Sequence, residues 1–409
     1  MRRLHISTFG CRANQYDSES VRALATAGGW QIVDAATDAD VAVFNSCAVT
    51  AEAERALRRS VRRAARANSR LRSVVMGCAS ALPASAQALR ALPGVSHLVA
   101  GADLATVALA LEIPARDVAR VARQQTVRAH LRIQDGCDEH CTFCATTMAR
   151  GANRSRSAEE LVLEARALSE WHPEIVLTGI HIGTWGMDVG SSLGVLVERL
   201  VREVPAVRFR LSSIEATELD TRLSELLASE PGRLAPHLHA PLQSGSDRLL
   251  RRMGRHWYTA RTYAAAVERL LALRGVFGLG ADVIVGFPGE TEADFDATVQ
   301  LIERLPFTYL HVFPFSARPG TAATRLPDPV SPAVMKDRSS RMRALGEAKA
   351  AAYRARRRGG AADAIVVTGA PRREGVTEDY LTVGVAEPRS RGERFAARLV
   401  LGTETLVAV

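Results

Sequence analysis

Gly136-Cys137-Asp138-Glu139-His140-Cys141-Thr142-Phe143-Cys144 places three cysteines at the spacing C-x3-C-x2-C. The stretch directly follows an alternating apolar run, Leu131 and Ile133, which predicts a β-strand. Thiolates this close together in a loop are typical ligands of iron–sulfur clusters. Three ligands leave one iron of a four-iron cluster without a protein partner, and an open coordination position is the mark of a catalytic metal site. A structural zinc site is the alternative, but it usually needs a second C-x2-C hook or nearby histidines, and no second hook follows.

The length and composition are those of a globular chain. The chain has 409 residues, 47% hydrophobic and 24% charged, and a usual ~100–200 residues per domain predicts two or three domains. Six cysteines could form disulfides, but the start of the chain lacks an apolar leader, which favours metal binding or catalysis. The sequence contains no apolar run of the ~18 residues that a membrane span needs. We therefore expect a cytoplasmic protein, in which thiols stay reduced.

The positive charge of the chain is consistent with a polyanionic partner such as nucleic acid. The net charge is +9, and a basic balance favours such partners. Lysine occurs only at Lys336 and Lys349, so arginine supplies almost all of this charge. Such a skew partly reflects genome composition, and the distribution of charge is therefore more informative than its sum.

Residues 1–122 are predicted to form an N-terminal α/β domain with a parallel sheet. Three of its predicted strands are each followed by a cysteine beside a Gly or Ser, namely Cys11, Cys47 and Cys78. Open α/β sheets bind their ligands at the carboxyl ends of strands. Buried structural cysteines are the alternative, since free cysteine is often a core residue. Three cysteines at three strand ends favour a second metal cluster.

An arginine stripe is predicted on the helix that follows Cys47. Thr50 is a candidate N-cap for this helix. The spacing i, i+3, i+4, i+7, i+8, i+11 places six guanidinium groups on one helical face. A solvated basic face and a phosphate-binding stripe for RNA are both open interpretations. The six residues are Arg55, Arg58, Arg59, Arg62, Arg63 and Arg66.

Residues 123–357 are predicted to form a partial (βα)6 parallel barrel. Strand and helix patterns alternate over nearly the whole range, and chemistry in such barrels lies at the carboxyl ends of the strands. The cysteine loop follows the first strand. Small and polar residues follow the later strands, and four such groups on one face predict a cofactor pocket. These groups are Thr178-Gly179 and residues 212–215, 243–246 and 286–291.

Residues 358–409 are predicted to form a small C-terminal antiparallel β-barrel. A long basic helix precedes it, and Gly359 and Gly360 form a natural stop and hinge between the two. Small barrels of this kind often bind nucleic acid. A stabilising appendage is the alternative.

Together these features resemble the methylthiotransferases, a family of radical S-adenosylmethionine (SAM) enzymes. The nearest branch methylthiolates N6-threonylcarbamoyladenosine at position 37 of tRNA. The resemblance runs nearly end to end, and its C-terminal piece is similar to the family's RNA-binding TRAM module. The segments that carry it are residues 8–19, 45–50, 134–144, 175–179, 210–215, 241–246 and 282–290.

The resemblance implies two [4Fe-4S] clusters with different tasks. Cys137, Cys141 and Cys144 would hold the cluster whose open iron binds SAM, and reductive cleavage of SAM would give a 5′-deoxyadenosyl radical. An auxiliary cluster would supply sulfur, and a second SAM would supply the methyl group. The implied product carries a methylthio group in place of the C2 hydrogen of the modified adenosine. The ligands of the auxiliary cluster would be Cys11, Cys47 and Cys78.

The resemblance also implies the remaining site residues and partners. The partners are the anticodon loop of tRNA at position 37 and an electron donor such as flavodoxin or ferredoxin, with no membrane involved. Phe143 is expected to pack against the SAM adenine. The other expected pocket residues are Thr178, Gly179, Ser213, Glu215 and Gln243.

Two departures from the family pattern leave the substrate open. Family members commonly have an apolar pair, a proline and an aromatic residue after the third cysteine, whereas residues 145–148 read Ala-Thr-Thr-Met. The proline that usually follows Glu215 is replaced by Ala216. The alternatives are therefore methylthiolation of isopentenyladenosine 37 in tRNA or of a ribosomal protein. A different class, a non-catalytic iron–sulfur RNA-binding protein, is disfavoured by the intact triad Cys137, Cys141 and Cys144 and by the polar groups at the strand ends.

Overall fold

The computed structural model describes residues 1–114, 121–273, 275–368, 373–402 and 406–409. The chain divides into two compact units, each described by itself below. The first comprises Met1–Gln125, Gln134–Arg154 and Ser316–Thr324, and the second comprises Thr126–Ile133, Ser155–Phe315 and Arg325–Val409. The predicted boundaries of three domains, at residues 122 and 357, stay predictions.

Strands and helices alternate along most of the chain. The strands are β1 (Arg3–Thr8), β2 (Gln31–Ile32), β3 (Val41–Ser46), β4 (Arg72–Gly77), β5 (Val95–Leu98), β6 (Arg128–Arg132), β7 (Gln134–Asp135), β8 (Arg154–Ser155), β9 (Glu174–Thr178), β10 (Arg208–Leu211), β11 (His237–His239), β12 (Gly278–Val285), β13 (Tyr309–Pro314), β14 (Ala361–Val366), β15 (Glu374–Thr377), β16 (Thr382–Val385), β17 (Arg394–Leu401) and β18 (Leu406–Ala408). The α-helices are α1 (Arg12–Ala27), α2 (Ala51–Ala67), α3 (Cys78–Ala81), α4 (Pro83–Arg90), α5 (Leu104–Ala110), α6 (Thr146–Arg150), α7 (Ala158–Ser169), α8 (Leu193–Glu203), α9 (Thr221–Ser229), α10 (Asp247–Arg252), α11 (Ala260–Ala272), α12 (Glu292–Arg304) and α13 (Pro332–Arg357).

The first unit is built on a five-stranded parallel sheet in the order β2-β1-β3-β4-β5. Every residue of β3 is buried, because helices cover both faces of the sheet. Val41 and Val43 pack in the layer that holds α1 and α5, whereas Ala42 and Phe44 pack against α2. The direction of winding reverses between β1 and β3, and open sheets bind ligands at such switch points. The predicted α/β domain is confirmed.

The second unit contains six parallel strands that form an incomplete barrel. One sheet has the order β10-β9-β6 and the other β11-β12-β13. Two isolated bridges, Phe209 to Leu234 and Ser213 to His239, connect them. The apolar residues of these strands pack with the surrounding helices in one large core. Successive side chains of a strand point to opposite faces, so the side chains between these apolar residues line the inner face of the barrel. The predicted partial barrel is confirmed.

The chain ends in a closed five-stranded barrel in the order β14-β15-β16-β18-β17. Four of its strand pairs are antiparallel and one, β16 with β18, is parallel. The junction predicted as a hinge is held by hydrogen bonds from Gly359 N to Leu399 O and from Leu399 N to Gly360 O. Arg357, at the end of α13, is buried and donates to Asp379 and Glu378 of the barrel. The junction is therefore fixed on both sides.

The C-terminal barrel closes the amino-terminal end of the incomplete barrel. Glu174 is fully buried at the start of β9 and accepts hydrogen bonds from Arg208 and Arg210. Burial alone would raise the pKa of Glu174, but the two guanidinium groups outweigh it and hold that pKa well below its usual range. The same arginines donate to backbone oxygens of the C-terminal barrel, Arg208 to Asp363 at 3.1 Å and Arg210 to Glu378 at 3.0 Å. The C-terminal barrel is thus joined to the incomplete barrel by hydrogen bonds from buried arginines.

None of the helices in the described part of the chain has both the length and the hydropathy to cross a membrane.

Candidate iron–sulfur and cofactor sites

Cys11, Cys47 and Cys78 follow β1, β3 and β4 at the carboxyl edge of the sheet. Gly10 has φ +107°, and a Cβ atom there would lie 2.8 Å from the Cys47 sulfur. Only glycine accepts this backbone conformation without strain while the two loops approach so closely. The glycine beside Cys11 therefore makes room for Cys47, which explains one of the small residues seen next to these cysteines in the sequence.

We define the first triad as Cys11, Cys47 and Cys78. Asn14 contacts two of its three sulfurs. Its amide oxygen lies 3.8 Å from the Cys11 sulfur and 3.9 Å from the Cys78 sulfur. Its amide nitrogen donates to the backbone oxygens of Phe9 at 2.9 Å and Ser46 at 2.8 Å. These bonds fix the side chain between two strand ends. The structure thus brings together three cysteines that are far apart in the sequence.

Burial distinguishes the members of the first triad. Cys47 and Cys78 are buried, whereas Cys11 is exposed. Burial raises the pKa of the Cys78 thiol to about 11 and also raises the pKa of Cys47. Because metals bind the thiolate, cluster assembly has to release these protons. The donor set of three sulfurs fits an iron–sulfur cluster, with Cys11 at its solvent side.

Arg150 reaches into the first triad from α6. Its Nε donates to the Cys78 sulfur at 3.3 Å, and its Nη2 donates to Asn14 at 2.8 Å and to Asp17 at 2.7 Å. The Arg150 and Asp17 side chains are both almost completely buried. Arg150 therefore supplies a positive charge beside a sulfur ligand, and the sequence analysis missed it. The only signal was its place shortly after the second cysteine motif.

The second triad, Cys137, Cys141 and Cys144, lies on one loop between β7 and α6 and is half-buried. The loop is closed at its base by a hydrogen bond from Cys137 N to Gly151 O at 3.0 Å. Gly136 has φ +74°, and a Cβ atom there would lie 1.8 Å from the Ala152 oxygen. The Thr146 N–H donates to the Cys144 sulfur at 3.3 Å, a contact common around cluster sulfurs. Phe143 is half-buried on the same loop.

The segment that departs from the family pattern lies against the first triad. Ala145 is buried in a small apolar cluster with Ala48, Cys78 and Leu82, and Ala149 packs on its edge. The small side chains at positions 145 and 149 let α6 approach α3 closely. The altered segment therefore connects the two triads within the first unit.

The predicted pocket residues lie in the second unit at the carboxyl ends of β9, β10 and β11. Ser213 is exposed, Gly179 is half-buried and Thr178 is buried. Gln243 has φ +64°, a strained conformation for a residue with a side chain. Glu215 pairs with the buried Arg255, and burial still raises the pKa of its carboxyl group. Glu215 thus has a partner inside the unit, and its contact with SAM stays a prediction.

A second group of polar residues, which sequence analysis missed, lies on the inner face of the barrel. His237, His239, Asp282, Tyr309 and His311 form one connected network. Burial alone would raise the pKa of Asp282, but hydrogen bonds from His239 and His311 hold it well below its ordinary value. The sequence signal was the alternation of polar residues in strands that otherwise read as apolar.

The arginine stripe on α2 is partly neutralised. Arg55 and Arg59 pair with Glu52, and Arg58 pairs with Glu54. The remaining three arginines, Arg62, Arg63 and Arg66, are exposed and make no ion pair among the described residues. They line a cleft of about 1030 Å³ together with Ser7, Thr8, Phe9 and Arg59.

Comparison with known proteins separates the two triads. Residues 3–101, which contain the first triad, match an uncharacterized protein family, UPF0004, and residues 131–302, which contain the second, match the radical SAM superfamily. A threonylcarbamoyladenosine tRNA methylthiotransferase of Thermotoga maritima is 35% identical over 83% of this chain and 80% of its own. The Bacillus subtilis protein of the same name is 36% identical over 85% of this chain and 80% of its own. This chain belongs to the radical SAM methylthiotransferases.

Membership of the family settles the reaction class. The protein is a methylthiotransferase, and its family uses SAM and a [4Fe-4S] cluster. A further relative, the tRNA-2-methylthio-N(6)-dimethylallyladenosine synthase of Acidithiobacillus ferrooxidans, is 36% identical over 91% of this chain and 88% of its own. Relatives named for threonylcarbamoyladenosine and relatives named for dimethylallyladenosine thus both match this chain over most of its length.

Solved structures show the fold of this methylthiotransferase. The radical SAM methyltransferase TsrM from Kitasatospora setae aligns with a TM-score of 0.57 and 16% identity, over 79% of this chain and 77% of its own. The cobalamin-dependent radical enzyme OxsB aligns with a TM-score of 0.51 and 11% identity, over 85% of this chain and 56% of its own. At these identities the likeness concerns the fold alone.

Proposed function

We propose that this methylthiotransferase acts on tRNA and replaces the C2 hydrogen of N6-threonylcarbamoyladenosine 37 with a methylthio group. One SAM serves as the radical source and a second as the methyl donor. The observation that carries the proposal is the similarity, over most of both chains, to proteins named for this reaction at 32–36% identity. The tRNA substrate also makes the cytoplasm the proposed location.

The two triads divide the work in this proposal. Cys137, Cys141 and Cys144 hold the cluster that binds SAM, and their partial exposure suits a site that exchanges a ligand. A bound cluster at this loop supplies the electron that cleaves SAM. The first triad would hold the second [4Fe-4S] cluster, which would supply the sulfur. Arg150 and Asn14 orient the cysteines of the first triad and place a fixed positive charge beside Cys78.

The SAM pocket is proposed to use Phe143 of the cysteine loop and polar groups at the strand ends. Ser213 is exposed at the end of β10 and can donate or accept a hydrogen bond. The strained backbone of Gln243 is of the kind that is retained at ligand sites. The remaining proposed contacts are Thr178, Gly179 and Glu215.

The tRNA partner is proposed to bind basic surfaces of both units. In the first unit, the three unpaired arginines of α2 offer a cleft for phosphates. The C-terminal barrel is proposed as the TRAM-like contact, with domain boundaries at residues 1–122, 123–357 and 358–409. An electron donor such as flavodoxin or ferredoxin completes the set of partners.

Nucleoside mass spectrometry tests the proposed substrate. The reconstituted enzyme is incubated anaerobically with SAM, dithionite and tRNA that carries either threonylcarbamoyladenosine or isopentenyladenosine at position 37. We expect 2-methylthio-threonylcarbamoyladenosine and 5′-deoxyadenosine with the first tRNA, and no methylthio product with the second. Cys141→Ala is the matched control.

The dimethylallyladenosine branch is the second candidate, because a relative of that name matches 91% of this chain at 36% identity. A methylthio product only on the isopentenylated tRNA would replace the first proposal by this one. Modification of neither tRNA, with a ribosomal protein modified instead, would overturn both.

A further inference from the structure

The inner face of the barrel in the second unit carries a histidine-rich group on three neighbouring strands. His239 of β11 aligns with Gly280 of β12, and Gly280 aligns with Tyr309 of β13. Two residues further on, Asp282 aligns with His311. Because aligned residues of neighbouring strands point to the same side, all these side chains project from one face. The opposite face of the same strands packs against helices.

Gly280 makes room for the ring of Tyr309. A Cβ atom at position 280 would lie 2.0 Å from the Tyr309 ring, so any other residue would displace it. With glycine there, the ring extends across β12. Its hydroxyl lies 2.9 Å from His237 Nε2 and 3.0 Å from His239 Nδ1. Tyr309 therefore holds His239 by the ring nitrogen that faces away from Asp282.

The other nitrogen of His239 takes part in a compact set of three potential ligands. His239 Nε2 lies 2.9 Å from Asp282 Oδ1, and His311 Nδ1 lies 3.2 Å from the same oxygen. The three ligand atoms all lie within 4.8 Å of one another. Two ligands bound to one ion at ~2.0–2.2 Å stand ~3.0–3.5 Å apart, so small shifts suffice to admit an ion.

The protons of the network can be arranged so that His239 binds an ion through one of its ring nitrogens. Tyr309 has one hydroxyl proton, which it can donate to His237 Nε2 while it accepts from His239 Nδ1–H. In the metal-free protein His239 Nε2–H donates to Asp282. When an ion takes the place of that proton, the Nε2 lone pair becomes its ligand and the remaining ring proton is on Nδ1. A metal-bound histidine typically donates its second N–H in this way, which fixes the ring and its tautomer. His237 and Tyr309 would then serve as the supporting shell.

We propose that His239, Asp282 and His311 bind one divalent transition-metal ion of the zinc and ferrous-iron class. Two imidazoles and one carboxylate are the donor set that suits such ions and leaves coordination positions open. The His311 side chain is 54% exposed and Asp282 25% exposed, so an ion can enter from the inner face. The open positions would accept an oxygen or nitrogen of a molecule that enters the barrel. The site uses none of the six cysteines and does not depend on the proposed substrate.

Zinc itself is the probe for the test. The cluster-loaded protein is dialysed against Zn²⁺, and the zinc, iron and sulfide contents per chain are measured. X-ray absorption at the zinc edge then gives the ligands. We expect about one zinc per chain with nitrogen and oxygen neighbours at ~2.0–2.1 Å and no sulfur at ~2.3 Å. Sulfur neighbours alone would mean zinc in a cysteine site and would overturn the proposal.

Variants of the ligands make the test specific. Asp282→Asn keeps the shape of the side chain, and His311→Ala removes a half-exposed ligand, so the second variant remains informative if the first does not fold. We expect zinc affinity to fall at least tenfold in each, with the iron content unchanged. His256→Ala, an exposed histidine of the same unit, is the matched control and should bind zinc like the wild type. Unchanged zinc binding in the ligand variants, or no zinc in the wild type, would leave a hydrogen-bonded network only and would overturn the proposal.

Discussion

The two cysteine triads lie in the same unit but are assembled in different ways. The second triad lies within eight consecutive residues of one loop, 137–144, and its spacing alone keeps its cysteines close. The first triad comes from three strand ends that the parallel sheet brings together. Local spacing suits a half-exposed site that exchanges its ligand. Assembly by a sheet suits a buried site, because the surrounding core excludes water from Cys47 and Cys78.

The surroundings of the triads differ in charge as well as in burial. Cys78 is contacted by Arg150, whose charge is balanced by the buried carboxylate of Asp17. The sulfur of Cys144 receives a backbone N–H from Thr146. The first triad therefore has a buried ion pair beside one of its cysteines, whereas the second lies on a half-buried loop, and each of the following predictions tests that difference.

The largest expected effect separates the triads by their chemistry. Cys141→Ala should abolish 5′-deoxyadenosine formation, because the loop loses one of the three thiolates proposed to hold the SAM-binding cluster. Cys47→Ala should leave that formation within about threefold of the wild type and abolish the methylthio product, with the iron content falling from about eight to about four per chain. Chromatography of both products checks this. Equal behaviour of the two variants would contradict the division of tasks.

Arg150 tests the ion pair that supports the first triad. Arg150→Met removes the guanidinium that pairs with the buried Asp17 carboxylate, and we expect a loss of about 3–5 kcal/mol in unfolding free energy. Denaturant unfolding of the cluster-free protein measures this loss. Arg154→Met, which removes an exposed arginine of the same segment, is the control and should change stability little. Adding Asp17→Asn to Arg150→Met should recover part of the lost unfolding free energy. No recovery would show that Arg150 does not stabilise the protein through its pair with Asp17.

Thiol alkylation of the cluster-free protein tests the difference in burial. At pH 8 a thiol with a pKa of about 11, as at Cys78, is about one part in a thousand thiolate, and only the thiolate reacts. Its labelling rate should therefore rise about tenfold per pH unit up to pH 10. The exposed Cys11 and the half-exposed cysteines of the second triad should be labelled before Cys78 at pH 8. Peptide mass spectrometry follows each site, and labelling of Cys78 at the same rate as Cys137 would contradict the expectation.

The smallest expected effect concerns the approach of tRNA to the unit that holds both triads. Replacing Arg62, Arg63 and Arg66 by Gln should weaken tRNA binding several-fold and lower the salt slope by up to about three. Replacing Arg55 and Arg59, which already pair with Glu52, should do less. Binding measured at several salt concentrations compares the two variants. Equal salt slopes for the two variants would indicate that the arginine stripe is a solvated surface and not a phosphate-binding one.

Much of the fold was predictable because its signals are local. Buried parallel strands read as short apolar runs, and β3 is buried at every position. The three cysteines of the second triad could be proposed as cluster ligands from their spacing alone. The barrel and the closed C-terminal module followed from alternating strands and turns. The salt bridges that fix the C-terminal module to the barrel, such as Arg208 with Asp363, were not visible in the sequence.

The sequence by itself determined the fold class, the second triad and the presence of three further cysteines at strand ends. The tertiary structure decided how those cysteines meet, because Asn14 and Arg150 reach Cys78 from distant positions in the chain. It also decided which arginines of α2 remain unpaired, and that His239, Asp282 and His311 share one face of the barrel. Spacing specifies contacts within a loop or helix, whereas contacts between strands depend on register and packing, which a single sequence does not display.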